Sequence, residues 1–382
     1  MACTVAAGMR VGVDARALAG QRGVTRYLRE LLAALAREHP GDEWRLFVPG
    51  RAELSFGLAP NIDVRRYPLP GRAVFGAAAL TGRPRLDRLL GGAGAIDLVW
   101  APTIAPLALS PGVPLVLTVQ DLSFELRPGD FTPYERVWHR LARPQALARR
   151  AGAVIVLAPP TRHQLIERWG VDAARVHVVA PGVHASGSGV ASPPPVAGSY
   201  LLAVGALEPR KDPARLLRAF ARARAQGLRA TLAFAGEGRL AGELTGDGVR
   251  LLGPVSDAEL DALYRGALAL VVPSLLEGYG LPLREALARG TPAVVSDLPV
   301  FGHELDAAVI RVAPGDEGEL AAALLRLERE PGLRAQLATA AAPAVAGLSW
   351  TEAARRTRAV LAEVAKAAEV SDVAKVAKVA PG

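Results

Sequence analysis

Two successive series of short β-branched runs alternate with longer Ala-, Leu- and Arg-rich segments of helical spacing, and a break rich in Pro, Gly and Ser separates the two series. Strands that alternate with helical stretches pair in parallel, because each helix carries the chain back across a sheet face. In the first series Met9–Asp14 reads as a strand, and Val24–Arg37 as an amphipathic helix with Tyr27, Leu28, Leu31, Leu32 and Leu35 on one face. Further strands are expected at 45–48, 98–101, 114–119, 153–157 and 176–179. The second series predicts strands at 200–204, 230–235, 249–252, 268–272 and 293–296, with helices at 213–226, 257–266 and 281–289.

Between the series, Ser186-Gly187-Ser188-Gly189 and Pro193-Pro194-Pro195 suit no regular element. The expected organisation is a Rossmann-like domain over 1–185, a linker over 186–199, a second domain over 200–348, a closing helix over 349–370 and a low-complexity tail over 371–382. The Val-Ala-Lys near-repeat of that tail is expected to fray after about Ala368. The fold class is α/β, with two parallel sheets facing a central cleft. Ligands of open α/β sheets sit beyond the carboxyl ends of the strands, so the cleft is the expected site.

Composition narrows the classes further. The chain has 382 residues, 51% hydrophobic and 21% charged, enough for two cores and too apolar for disorder. Cys3 is the single cysteine, which excludes an intrachain disulfide and any two-cysteine metal or redox site. No basic segment followed by an apolar run opens the chain, and no stretch approaches the roughly 20 apolar residues of a membrane span. A cytoplasmic protein is expected, with Met1–Gly8 an extension of no consequence. Residues 1–190 hold 23 Arg, no Lys and 15 acidic residues, whereas the remainder holds 22 basic and 22 acidic residues, so the first half carries the whole excess of +8. Such a half fits an anionic substrate or peripheral contact with an anionic membrane at its inner face; the plainer account is a preference for Arg as the surface cation. Nucleic acid is not expected as a partner, because aromatics are only 5% and no basic, aromatic-interleaved motif occurs.

The most informative segment runs from Pro273 to Gly290. A strand ends at Val272, a turn holds Gly278 and Gly280, Pro282 falls where a first helical turn tolerates it, and Gly290 closes the helix. Such a turn points bare N–H groups and the positive helix end at an anion, most plausibly a phosphate. Glu277 and Glu285, seven residues between them, suit hydrogen bonds from sugar and ribose hydroxyls, and together with a phosphate site they point to a nucleotide sugar. The plainer account makes Glu277 a solvated turn residue and Glu285 a first-turn acid favoured by the helix dipole. A second strand-to-helix turn, Gly205 to Pro213, presents Arg210 and Lys211, with Asp212 expected to cap the helix and Pro213 in its first position. Adjacent cations there would neutralise a departing diphosphate in place of a metal ion; no metal or cofactor is expected. The alternative is a solvated pair, which the helix dipole disfavours.

These residues bring out a likeness. The run from Tyr200 to Leu298 resembles the donor domain of the retaining glycosyltransferases of family 4, which have the two-domain GT-B fold. It rests on Gly205 to Asp212, Phe234-Ala235-Gly236-Glu237-Gly238, Leu252 to Asp257, and Pro273 to Gly290. The likeness extends to Gly12 to Arg16, Gly23 to Tyr27, Val179 to Val183 and Leu348-Ser349-Trp350. It implies that Arg210 and Lys211 hold the donor diphosphate and that Glu277 contacts the transferred sugar. The backbone of Gly278, Tyr279, Gly280 and Leu281 would bind phosphate and sugar, with Gly205 in the same donor-binding set, and Glu285 would take the ribose. Gly253 to Val255 would lie against the base, Gly23 would approach the donor, and the first domain would bind the acceptor.

The chain departs from the family pattern in reading Gln120-Asp121 where many members have His-Asp, in Ala158-Pro159-Pro160-Thr161-Arg162 for a Ser-rich segment, and in a Pro181-Gly182-Val183 that lacks Asn. Gln offers an amide to a sugar hydroxyl or to backbone but carries no proton or charge, so Gln120 can replace an orienting histidine and not a charged one. The implied reaction is a metal-independent, retaining transfer of a hexosyl unit, with a leaning to mannose, onto a carbohydrate, polyol or lipid-linked hydroxyl. A sugar-nucleotide epimerase or phosphorylase of the same fold, or an inactive binding homologue favoured only by Gln120, are the alternatives.

Overall fold

The computed structural model describes residues 8–20, 23–50, 54, 57–92, 94–184 and 194–379, the final nine by their backbone alone. The chain divides into a first unit that ends at Gly182 and resumes at Trp350, and a second unit, Val183–Ser349.

The first unit is built on β1 (Arg10–Asp14), β2 (Glu43–Pro49), β3 (Ile62–Tyr67), β4 (Leu98–Ala101), β5 (Leu115–Val119), β6 (Ala153–Val156) and β7 (Val176–Val178). They form one parallel sheet in the order β3-β2-β1-β4-β5-β6-β7. Every residue of β5 and β6 is buried, as expected of central parallel strands covered by helices on both faces. β3 was not expected from the sequence; its Ile-Asp-Val-Arg-Arg-Tyr composition belongs to a half-exposed edge. The helix Gly23–Glu38 buries Tyr27, Leu28, Leu31, Leu32 and Leu35, the predicted face.

The helix Trp350–Val379 returns to this unit, so the expected closing helix is part of the first domain. Arg358 donates from Nε and Nη2 to the buried Asp42 carboxylate at 2.7 and 3.1 Å, and the Trp350 ring lies 6.3 Å from that of Tyr27. The backbone stays helical beyond the expected end near Ala368; Ala and Lys of the repeats are strong helix formers, and no Gly or Pro interrupts the stretch to Val379.

The second unit carries β8 (Tyr200–Val204), β9 (Thr231–Ala235), β10 (Val249–Gly253), β11 (Ala269–Val272), β12 (Ala293–Ser296) and β13 (Val309–Val312). Its parallel order, β10-β9-β8-β11-β12-β13, repeats the pattern of the first sheet. Leu216, Ala219, Phe220 and Ala223 of helix Pro213–Ala225 pack in one core with Leu232, Phe234, Leu320 and Leu324. β13 and the helices Glu317–Arg329 and Pro331–Ala344 extend this unit beyond the elements expected from sequence. The switch in winding direction falls between β8 and β11, where a crevice opens beyond the strand ends. Of the expected linker, 186–193 lie outside the described residues, and Val196 is buried.

Candidate functional site

The loops that leave β8, β9 and β10 are joined by backbone. The Gly205 N–H donates to the Ala235 carbonyl at 3.0 Å, that of Leu207 to Glu237 at 2.9 Å, and that of Gly236 to Gly253 at 2.8 Å. This approach requires glycine at 236: its φ is +143°, and a Cβ there would stand 2.0 Å from the Gly205 carbonyl oxygen. Gly205, Gly236 and Gly253 therefore meet at one end of the sheet, and Val255 follows, half-buried.

The turn Pro209–Lys211 is tied to the loop after β11. The Leu275 N–H donates to the Arg210 carbonyl at 2.9 Å, and Lys211 Nζ lies 2.5 Å from Glu277 Oε1, which also accepts from Ser274 Oγ at 2.7 Å. Asp212 does not cap the following helix. Its φ is +50°, it makes no side-chain bond to the helix start, and its carboxylate instead accepts from Arg215 Nε at 2.6 Å, while Pro213 opens the helix as expected. Arg215 is 2% exposed and its Nη2 donates to the Pro273 carbonyl at 2.5 Å, so one guanidinium bridges the two loops.

The glycine turn leads into helix Leu281–Ala288. Gly280 has φ +79°, and a side chain there would meet Phe301 within 2.6 Å. Arg284, missed in the sequence, is buried beneath this turn: Nη1 donates to the Tyr279 carbonyl, Nη2 to that of Val300 at 3.3 Å, and the guanidinium lies 4.0 Å above the Tyr279 ring. Burial of the Tyr279 phenol pushes its pKa up to about 12. Gly205, Lys211, Ser274, Glu277, Gly280 and Pro282 all line one pocket at the β8/β11 switch point.

Both plainer accounts of the glutamates fail. The Glu277 side chain is 5% exposed. Burial would push its carboxyl up, but the charges of Lys211 and Arg210 and the bonds from Lys211 and Ser274 prevail and hold it below the ordinary 4.5. Glu285 lies beyond the first helical turn and is buried, with Oε2 accepting from Tyr264 Oη at 3.0 Å. Arg289 donates to the Glu285 carbonyl at 2.9 Å and pairs with Asp261 at 2.6 Å.

In the first unit Gln120 follows β5, and its Nε2 donates to the Pro102 carbonyl at 3.1 Å. The amide thus tethers the ends of β4 and β5. Gly23 begins its helix with no atom within 4 Å of where a side chain would stand. Asp14 and Arg16 form a pair with Nη2–Oδ2 at 2.5 Å, Arg16 lying 3.1 Å over the Phe75 ring. Pro159 and Pro160 open the helix Pro159–Trp169. Among the described residues no group of three or more His, Cys, Asp or Glu is placed to hold a metal ion, and no helix is long and apolar enough to cross a membrane.

Comparison with known proteins identifies the family. The family model for glycosyl transferases group 1 matches residues 192–343, and that for glycosyltransferase family 4 matches 21–186. A D-inositol 3-phosphate glycosyltransferase of Actinosynnema mirum is 32% identical over 402 aligned positions that cover 94% of this chain and 91% of the relative. The chain belongs to the group 1 glycosyltransferases. A second relative of this transferase, the O-antigen chain mannosyltransferase RfbU of Salmonella typhimurium, is 45% identical over 85 residues, covering 22% of the chain and 24% of the relative, so the chain spans about a quarter of that protein. The structure of Anabaena Alr3699/HepE in complex with UDP-glucose aligns with a TM-score of 0.63 at 16% identity over 93% of this transferase and 99% of that chain, and it shows the shared GT-B architecture of two Rossmann-like domains. Within that architecture, sequence pattern found Arg210, Lys211, Glu277 and Glu285. It gave no sign of Arg215 and Tyr264, whose partners Pro273 and Glu285 lie 58 and 21 residues away, or of Arg284, which reaches the Tyr279 and Val300 carbonyls.

Proposed function

We propose that this transferase moves a hexosyl unit from a nucleoside-diphosphate sugar to an acceptor hydroxyl, without a metal and with retention of anomeric configuration. One observation carries the reading. A cationic turn and a glycine turn are hydrogen-bonded together, through Leu275–Arg210 and Lys211–Glu277, at the switch point of a parallel sheet. Arg210, Lys211 and the start of helix Leu281–Ala288 concentrate positive charge where a leaving diphosphate gains negative charge. The carbon–oxygen bond to the diphosphate breaks with its electron pair on the phosphate oxygen, the acceptor oxygen bonds to the same carbon from the same face, and the acceptor proton passes to the departing phosphate. Glu277, kept anionic by its neighbours, accepts hydrogen bonds from sugar hydroxyls, and Glu285, oriented by Tyr264, accepts them from ribose. Gln120 orients backbone at the acceptor side. A carbohydrate, polyol or lipid-linked hydroxyl is the acceptor. The mannosyltransferase relative makes a mannosyl donor the first to try, and UDP-glucose in the aligned Anabaena structure the second.

The test is turnover of a panel of nucleotide sugars, with nucleotide release and product configuration followed together. Retention with nucleotide release is expected. An inverted product, or interconversion of the sugar nucleotide without acceptor, refutes the proposal.

A further inference from the structure

The helix Pro133–Ala142 faces outward with a composition that its own core does not explain. Its ring of Tyr134 and the side chain of Val137 are 47% and 51% exposed, on the stripe that Leu141 continues, while Trp138 packs inward on the core of the first unit. Arg136 and Arg140, one turn apart on an adjoining stripe, and Arg143, just past the helix end in left-handed backbone, are all exposed. None of the three has a carboxylate within ion-pair distance among the described residues. The acid of this helix, Glu135, is held in the capping box with Thr132, its Oε2 accepting from the Thr132 N–H and hydroxyl at 2.9 Å each.

The neighbouring helix Gly71–Thr81 extends the patch. The Arg72 guanidinium sits 4.8 Å over the Tyr134 ring, joining the two helices, and Leu69 and Leu80 are 50% and 77% exposed. Of seven large apolar side chains exposed among the described residues, Tyr134 and Val137 lie on helix Pro133–Ala142, Leu80 on helix Gly71–Thr81 and Leu69 just before it. Between 65 and 88 stand six Arg and one acid, the buried Asp87, and between 133 and 150 five Arg and one acid. Of these, Arg72, Arg136, Arg140 and Arg143 are exposed on, or at the end of, the two helices that carry the exposed apolar side chains.

We propose that the faces of helices Pro133–Ala142 and Gly71–Thr81 form a docking surface for an anionic phospholipid bilayer. Charge complementarity and exposed aliphatic side chains both fit this occupant. A phosphate-rich surface attracts the arginines, and Leu80, Val137 and Tyr134 find acyl chains and the headgroup boundary beneath it. A nucleic acid offers the arginines phosphate but gives the leucines nothing to enter. The patch lies in the first unit and contains none of the donor-site residues, so its failure and that of the transferase reading are distinguishable.

The test is co-sedimentation of the full chain with vesicles of phosphatidylcholine alone or with phosphatidylglycerol added. Binding to the anionic vesicles only, weakening with salt, is expected. Replacing Arg136, Arg140 and Arg143 together by Gln should weaken it about 100-fold, from about fivefold for each charge near the surface. Tyr134→Ser with Val137→Ser should also weaken binding while donor hydrolysis stays unchanged. Should the triple variant not fold, Arg72→Gln with Leu80→Ser on the adjacent helix makes the same measurement. Absence of binding to anionic vesicles at low salt, equal binding to neutral ones, wild-type binding by the arginine variant, or retention on duplex DNA in place of vesicles overturns the proposal.

Discussion

Replacing Lys211 by Met isolates the charge balance at the centre of the site. In the native protein Glu277 is 5% exposed, and its carboxylate is held by Lys211 at 2.5 Å and by Ser274 at 2.7 Å. Removing one partner of a buried pair leaves the other charge uncompensated, at a cost of about 3 kcal/mol. Arg210 and Ser274 remain, so the low end of the usual range applies. For a cooperative unit of the size of Val183–Ser349 that loss corresponds to a fall in melting temperature of roughly 6–12 °C. The pH dependence has a definite sign. The native Glu277 carboxyl titrates below 4.5, so its stabilisation is present above 4.5 and is lost as pH falls through the native value. Without Lys211 the effect of burial gains ground, the carboxyl shifts upward, and the variant's deficit at neutral pH shrinks on acidification. Thermal unfolding of wild type and variant across the acid range measures this. Adding Glu277→Gln to the variant should restore much of the lost stability without restoring turnover. A deficit that is the same at acid and neutral pH, or no recovery in the double variant, would show that the pair is not coupled and would refute the reasoning.

Three further outcomes follow from the same contacts. Tyr264→Phe removes the 3.0 Å bond to Glu285, worth about 1 kcal/mol, and should weaken nucleoside diphosphate binding about fivefold by calorimetry, with a smaller loss for the deoxyribose analogue. Arg215→Met deletes both the Pro273 and Asp212 bonds, and should raise the donor KM and lower the melting temperature, whereas Arg215→Lys restores part of the stability and little of the KM. Gly236→Ala forces a methyl to within 2.0 Å of the Gly205 carbonyl, and should cost about 3 kcal/mol in denaturant unfolding, since backbone has to move.

The parallel sheets were readable because their central strands are near-continuous apolar runs: β5 and β6 are buried at every position and look so in one dimension. β3 escaped notice because Asp63, Arg65 and Arg66 face solvent at a sheet edge, where pairing and not burial makes the strand. At the site, Arg210, Lys211 and Glu277 stand out as chemistry at strand-to-helix turns. The arrangement that makes them a unit depends on Arg215 reaching Pro273 and on Tyr264 reaching Glu285, partners separated by 58 and 21 residues. Periodicity carries no trace of such pairs. Asp212 departs from the expected cap for a local reason: its backbone is left-handed where a capping residue is extended, and its carboxylate accepts from the Arg215 side chain in place of a backbone N–H.

The return of helix Trp350–Val379 to the first unit gives that unit a discontinuous sequence. During synthesis the second unit has every strand it needs once Ser349 has left the ribosome, whereas Asp42 waits for Arg358 and Tyr27 for Trp350. The first-made half is therefore the last to be completed, and a ribosome paused with this helix still inside its exit tunnel would hold one finished lobe and one open one.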